Sequence, residues 1–137
     1  MDINYIESMR SHISSMEADL VGLTEIMSER DLSRYEYKAC ERLLQTLIEA
    51  SIGIAKHWCK KLGIPASPNA YDSFQRLHDK GIEDASPSFW RSVIGTRNAL
   101  VHDYLNIDQE VIESLIRDQQ YLSLTKFART GLTELES

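Results

Sequence analysis

Two long apolar seams run through the first half of this sequence. Both repeat apolar side chains in alternating steps of three and four, the spacing of one face of an α-helix. The first seam consists of Ile6, Met9, Ile13, Met16, Leu20, Leu23 and Met27, and the second of Tyr37, Cys40, Leu44, Leu47, Ser51, Ile54 and Trp58. Two such helices joined by a short polar link bury their seams against each other, which predicts a long antiparallel helical hairpin.

Local capping signals predict the remaining helices. A loop at residues 65–69 is followed by a short helix over residues 70–80, and Ser86 with Pro87 has the sequence of a helix start. Asp108 is a suitable N-cap for a last helix. No segment alternates as a strand does, so the chain is expected to be all-α, a compact up-down bundle of four to five helices built on the hairpin.

Size and composition fit a single globular domain over residues 1–137, with 42% hydrophobic residues. No apolar run has the length of a membrane span, and no export signal precedes the first helix. Cys40 and Cys59 lie about 28 Å apart on one helix and cannot form a disulfide. We therefore expect a cytoplasmic protein with reduced cysteines and no membrane contact.

The charge distribution argues against broad binding to nucleic acid but allows local binding. The net charge is −6, yet residues 30–61 carry a net charge of +3. Arg30, Arg34, Lys38 and Arg42 recur at every fourth position and form a basic stripe, with tyrosines nearby to stack on bases. The same spacing is typical of a solvated helix face, so Arg34, Lys38 and Arg42 are candidate RNA contacts and no more.

The sequence has no recognisable metal or cofactor site. His57 and Cys59 are two residues apart and point to opposite faces of a helix, and His12 and His78 have no ligand at the required spacing. Neither a glycine-rich phosphate loop nor a serine-nucleophile motif is present. We therefore expect no metal and no cofactor.

The stretch GTRNALVHDY, residues 95–104, places four polar side chains in a segment that otherwise has the pattern of a buried helix. On a regular helix Arg97 and Tyr104 share one face, and Asn98 lies within hydrogen-bonding reach of His102. Arg97 and His102 diverge by about 140°, so they meet only if a second copy packs across this helix in a two-fold dimer. By spacing alone, a histidine at a helix end and a surface arginine are the more ordinary interpretation.

This stretch resembles the signature of HepT-type toxins of the HEPN superfamily, in which an Arg, four residues, a His, one residue and a Tyr follow one another. The matching run is Gly95-x-Arg97-Asn98-x-x-x-His102-x-Tyr104, preceded by Trp90 and followed by Asn106-Ile107-Asp108. Asp103 stands where many relatives carry a small residue such as Gly. Its negative charge is expected to weaken phosphate binding beside the site.

The resemblance implies a metal-independent endoribonuclease that is the toxin of a toxin–antitoxin pair. Its substrate is then RNA, and its partner is a cognate MNT-type nucleotidyltransferase antitoxin that attaches AMP to the motif tyrosine. By position, Arg97 and His102 are the expected catalytic residues, Asn98 supports them, and Tyr104 is the AMPylated residue. The family forms homodimers with the site at the interface, which agrees with the angular divergence of Arg97 and His102.

Two other interpretations stay open at the level of sequence. In one, the chain is a non-catalytic helical binding partner of a minimal nucleotidyltransferase, and Arg97 and His102 only bind phosphate. In the other, it is a plain dimeric scaffold whose polar stretch holds the interface together. RNA cleavage in EDTA that depends on His102 separates the enzyme from both.

Overall fold

The computed structural model describes residues 1–137 and consists of helices and their connections, without a strand. Six α-helices follow one another: α1 (Ile3–Met27), α2 (Arg34–Lys61), α3 (Ala70–Asp79), α4 (Pro87–His102), α5 (Gln109–Arg117) and α6 (Tyr121–Glu136). Short 3-10 turns at Glu83–Ala85 and Tyr104–Asn106 lie on either side of α4. The predicted all-α bundle is confirmed.

The hairpin of α1 and α2 forms from the two seams. Every residue of the second seam is buried, and only Met9 and Met27 of the first are not. The link between the helices ends in a capping box. The Glu36 N–H donates to Ser33 Oγ at 3.1 Å, and the Ser33 N–H donates to Glu36 Oε1 at 2.7 Å. These bonds satisfy backbone donors that have no partner within the helix, and they fix where α2 begins.

The C-terminal segment folds as two helices where the sequence indicated one. Gln119 turns the chain with a positive φ of 55°, and the N–H groups of Gln119 and Gln120 bond back to the last turn of α5, each at 3.0 Å. α6 then packs against both α1 and α2. Gly131 permits this contact, because a Cβ there would lie 2.5 Å from Ile54 Cγ2.

An aromatic cluster anchors α4. The Trp90 and Phe74 rings stack with their centroids 4.0 Å apart, and the Trp90 and Phe127 centroids lie 4.9 Å apart. Trp90 Nε1 donates a hydrogen bond to the Asp84 carbonyl at 2.8 Å, so its polar atom is satisfied inside the core. One face of α4 is thereby fixed, and the residues from 95 to 102 that point away from it lie at or near the surface.

None of the six helices is both long and apolar enough to cross a membrane. Cys40 and Cys59 are free and buried on α2. Burial raises the pKa of the Cys40 thiol to about 11 and also raises the pKa of Cys59. Both therefore act as packing residues, because the thiolate is the reactive form.

Candidate active site

Helix α4 ends inside the polar stretch, at His102. Asp103 leaves the helix with φ −141° and ψ 43°, while its N–H still bonds to the Ala99 carbonyl at 2.9 Å. Asn106 Nδ2 donates to Asp103 Oδ1 at 2.6 Å and closes the 3-10 turn that follows. The expectation that Tyr104 continues the helix on the face of Arg97 is therefore wrong, since the chain turns one residue before it.

Arg97 carries a guanidinium without a counter-ion. The residue is half-buried in the last turns of α4, and its Nε is buried with no hydrogen-bond partner. Buried polar atoms are nearly always paired, so an unpaired one needs an explanation in ligand binding or in strain. An anion that reaches Arg97 finds a charged, planar donor that no carboxylate of the protein has neutralised.

His102 is the last residue of α4 and lies at the surface. The expected hydrogen bond between Asn98 and His102 does not form, because both side chains are exposed and nothing holds them against each other. Arg97 and His102 both belong to the regular part of α4, so their divergence of about 140° stands. On a regular helix, side chains five residues apart point to different faces, so one chain is not expected to direct both at a single point.

Tyr104 turns away from α4 and contacts α2. Its hydroxyl donates to Glu41 Oε1 at 2.8 Å and also contacts the Lys38 ammonium. Lys38 Nζ lies 4.7 Å from the centroid of the Tyr104 ring and 3.7 Å from Glu41 Oε1. The structure thus joins the end of the motif to a lysine of the basic stripe, 66 residues away in the chain.

Glu41 is a contact of Tyr104 that the sequence analysis did not single out. Its side chain is 9% exposed, and it lies on α2 between Lys38 and the core. Burial raises the pKa of the neighbouring Tyr37, and its hydrogen bond with Glu41 raises that pKa further. The Tyr104 hydroxyl raises the pKa of Lys38. A glutamate beside the apolar seam, three residues after a lysine, was the available signal, but the same spacing is common in surface ion pairs.

The basic stripe is shorter than the spacing suggested. Arg30 precedes α2, and its two terminal nitrogens donate to the two carboxylate oxygens of Glu36, each at 2.8 Å. The Arg30 guanidinium, with the Ser33 N–H, lowers the pKa of Glu36 to about 2. Arg34, Lys38 and Arg42 lie exposed on α2, so three members of the stripe remain on the helix itself.

A shallow cleft of about 320 Å³ lies beside the motif, between α4 and the start of α5. Small side chains of α4 form much of one wall. The lining residues are Ser92, Gly95, Thr96, Ala99, Asn106, Ile107, Asp108, Val111 and Ile112. The surface of α4 next to Arg97 therefore admits close approach by another molecule or by a second copy of the chain.

Comparison with known proteins gives one family match. The model of a family described as "Ribonuclease HepT-like" matches residues 4–130. No curated protein and no solved structure shows a significant match. The matched range includes the polar stretch and the α2 residues that contact Tyr104.

Proposed function

The chain belongs to the HepT-like ribonuclease family, and on this premise we propose that it is a metal-independent endoribonuclease and the toxin of a toxin–antitoxin pair. The observation that carries the proposal lies on α4, where an arginine without a counter-ion stands five residues before an exposed histidine. Both side chains are free to act on a phosphodiester. We place the enzyme in the cytoplasm, where both RNA and a reducing environment for its two free cysteines are found.

The chemistry follows from these two side chains. Cleavage without a metal uses the RNA 2′-hydroxyl as the nucleophile on the adjacent phosphorus, so DNA is not a substrate. Histidine exchanges protons near neutral pH, and His102 takes the 2′ proton or gives a proton to the leaving 5′ oxygen. The Arg97 guanidinium stabilises the charge that develops on the phosphoryl oxygens. Asn98, exposed one residue after Arg97, is a supporting contact for the substrate and not for the imidazole.

A homodimer supplies the geometry that one chain lacks. Arg97 and His102 of one chain diverge, and a two-fold axis near α4 brings Arg97 of one chain toward His102 of the other. The small residues beside the cleft favour such an approach.

The exposed face of α2 gives RNA a path to this site. Arg34, Lys38 and Arg42 lie on one face of α2, and Lys38 touches the turn that carries Tyr104. In a chain of net charge −6, this stripe is a local positive surface for the phosphate backbone. RNA bound along it passes the end of α4.

We infer that an MNT-type nucleotidyltransferase silences the enzyme through the same contact. AMP attached to Tyr104 adds a bulky nucleotide and at least one negative charge beside Lys38. The added phosphate competes with RNA for the basic stripe, and the nucleotide covers the end of α4. The charge acts first on Lys38, because Tyr104 contacts α2 and not Arg97.

The test is RNA cleavage in EDTA. We expect wild-type protein to cleave total RNA under these conditions. His102→Ala and Arg97→Ala are each expected to lower the rate by about 10²- to 10³-fold, the usual effect of losing an acid–base group or a transition-state charge contact. His78→Ala is the matched control, since His78 is an exposed histidine near the end of α3.

The possible outcomes separate the proposal from its alternative. Activity that disappears in EDTA contradicts metal independence, and full activity in His102→Ala contradicts the assigned role of this histidine. If wild-type protein leaves RNA intact while the nucleotidyltransferase still attaches AMP to Tyr104, the chain is a non-catalytic binding partner of that enzyme.

A further inference from the structure

Glu41 is the charged residue that this fold buries. The other buried polar residues are Ser51, Ser73 and Thr125, all of them neutral. A carboxylate removed from water is costly unless it is well paired, and its nearest cation, Lys38 Nζ, lies 3.7 Å away. Buried charged groups of this kind concentrate at functional sites.

The buried carboxylate interacts with two phenols, Tyr37 and Tyr104, and of these only Tyr104 is exposed to a partner. Glu41 Oε1 accepts a hydrogen bond from the Tyr104 hydroxyl at 2.8 Å, within the distance at which a general base removes a proton. Tyr104 itself is 43% exposed, so part of its side chain is accessible to a partner. The Lys38 ammonium contacts the same hydroxyl from a second direction. The Tyr104 hydroxyl therefore contacts a base and a cation, and its residue is partly exposed to solvent.

From this arrangement we propose that Glu41 is the general base for the modification of Tyr104, and that Lys38 stabilises the charge formed there. The inference rests on the proposed AMPylation. The Tyr104 oxygen attacks the α-phosphorus of ATP, a new O–P bond forms, and the bond to pyrophosphate breaks. The phenolic proton passes to Glu41, and pyrophosphate leaves with the bonding electron pair. The base thus belongs to the toxin, the target of the transfer, and not to the transferase.

A phenol needs this help near neutral pH. Tyrosine ionises with a pKa of about 10, so only about one molecule in a thousand is phenolate at pH 7. A base at hydrogen-bonding distance removes the proton during the attack and is typically worth about 10²- to 10⁴-fold in rate. Lys38 lies where it compensates negative charge on the tyrosine oxygen or on the incoming phosphate.

The decisive variant is Glu41→Gln. Glutamine keeps the size of the side chain and an oxygen that accepts the Tyr104 hydroxyl, so the tyrosine stays in place, but the amide cannot take a proton. Glu49→Gln is the matched control, because Glu49 is an exposed carboxylate on the same helix that accepts only from Gln45, at 3.3 Å. Lys38→Met tests the cation, with the exposed Lys56→Met as its control.

The measurement is the initial rate at which the nucleotidyltransferase antitoxin encoded with this chain transfers AMP from ATP to Tyr104, in the presence of Mg²⁺. The rate is determined between pH 6 and 9 from the mass of the Tyr104 peptide. We expect Glu41→Gln to lower the rate at pH 7 by about 10²-fold or more. Its rate should then rise close to tenfold per pH unit as bulk hydroxide replaces the base, a steeper rise than in wild type. AMP transfer to the Lys38→Met variant should be slower than to wild type at every pH in this range. RNA cleavage by Glu41→Gln should stay near that of wild type, since Arg97 and His102 are unchanged.

A second measurement needs no partner. N-acetylimidazole acylates nucleophilic tyrosines, and we expect it to label Tyr104 in wild type faster than in Glu41→Gln. Equal AMP transfer and equal acylation in the two proteins overturn the role of Glu41 and leave the proposed RNase and its modification standing. If wild-type Tyr104 receives no AMP while RNA is still cleaved, the modification is wrong, and the inference about Glu41 falls with it.

Discussion

Tyr104 is held in place, whereas the two residues proposed to cleave RNA are not. Its hydroxyl contacts both Lys38 and Glu41, while Arg97 Nε has no partner and His102 lies at the surface. The difference fits two tasks. A group that binds a substrate phosphate must leave its charge unpaired, and a group that is covalently modified must be presented in a fixed position.

Tyr104→Phe should separate these tasks. We expect the variant to keep RNase activity within a few-fold of wild type and to resist inactivation by the nucleotidyltransferase and ATP, because the acceptor oxygen is gone. It should also lose about 1–3 kcal/mol of unfolding free energy in urea, since a buried carboxylate loses a donor. Tyr35→Phe is the control, because Tyr35 is 86% exposed. If the nucleotidyltransferase and ATP silence the Tyr104→Phe variant as well as wild type, the switch lies at another residue.

At the scale of elements, the predictability of each helix depends on whether its ends are marked in the sequence. The long seams predicted the hairpin because helical periodicity is a local property. Ser33, Pro87 and Asp108 marked three helix starts that the structure confirms. The ends of α4 and α5 carry no glycine or proline. Asp103 and Gln119 leave the helix there with their own backbone angles, φ −141° and φ 55°, which no local pattern announced.

The candidate site divides in the same way. Arg97 and His102 belong to a short motif, so spacing and residue type were enough to single them out. The contact of Tyr104 with Lys38 and Glu41 joins α2 to the turn after α4, and it exists only because the bundle packs these elements together. No local sequence pattern predicts a contact between residues so far apart in the chain.

The start of α2 gives a test at this scale. The Arg30 guanidinium and the Ser33 N–H hold the folded-state pKa of Glu36 at about 2, below its ordinary value of 4.5. A lowered pKa means that the ionised group contributes stability above pH 4.5 and that this contribution is lost as the pH falls toward 2. Glu36→Gln keeps the capping box but loses the ion pair. We expect its Tm to lie below that of wild type at pH 7 and to equal it near pH 2, as measured by circular dichroism.

Glu29→Gln serves as the control for this change, since Glu29 is an exposed carboxylate in the same link that forms no ion pair with Arg30. It should leave the pH dependence of Tm unchanged. A Tm difference between Glu36→Gln and wild type that persists at pH 2 would show that the carboxylate acts through the cap and not through its charge.

At the scale of the whole molecule, the fold separates a buried aromatic core from the exposed end of α4. Trp58, Trp90, Phe74 and Phe127 lie in one buried cluster, in which Trp90 holds α4 against Phe74 of α3 and Phe127 of α6. The motif occupies the end of α4 that projects from this cluster, next to the exposed stripe of α2. One chain thus offers a positioned tyrosine and an unpaired arginine and histidine, but it does not bring the last two together.

Complementation tests whether a second chain closes that gap. If each site uses Arg97 of one chain and His102 of the other, Arg97→Ala and His102→Ala homodimers are both inactive, and a mixed dimer rebuilds one of its two sites. Random exchange gives about half mixed dimers, so we expect recovery of up to about a quarter of wild-type activity. Differently tagged chains verify the exchange, and a mixture of one variant with itself is the control. Because a composite site exists only in the dimer, specific activity should also fall on dilution below the dissociation constant found by sedimentation. A mixture that exchanges fully yet stays inactive, or a monomer that cleaves RNA at full rate, means that each chain builds its site alone.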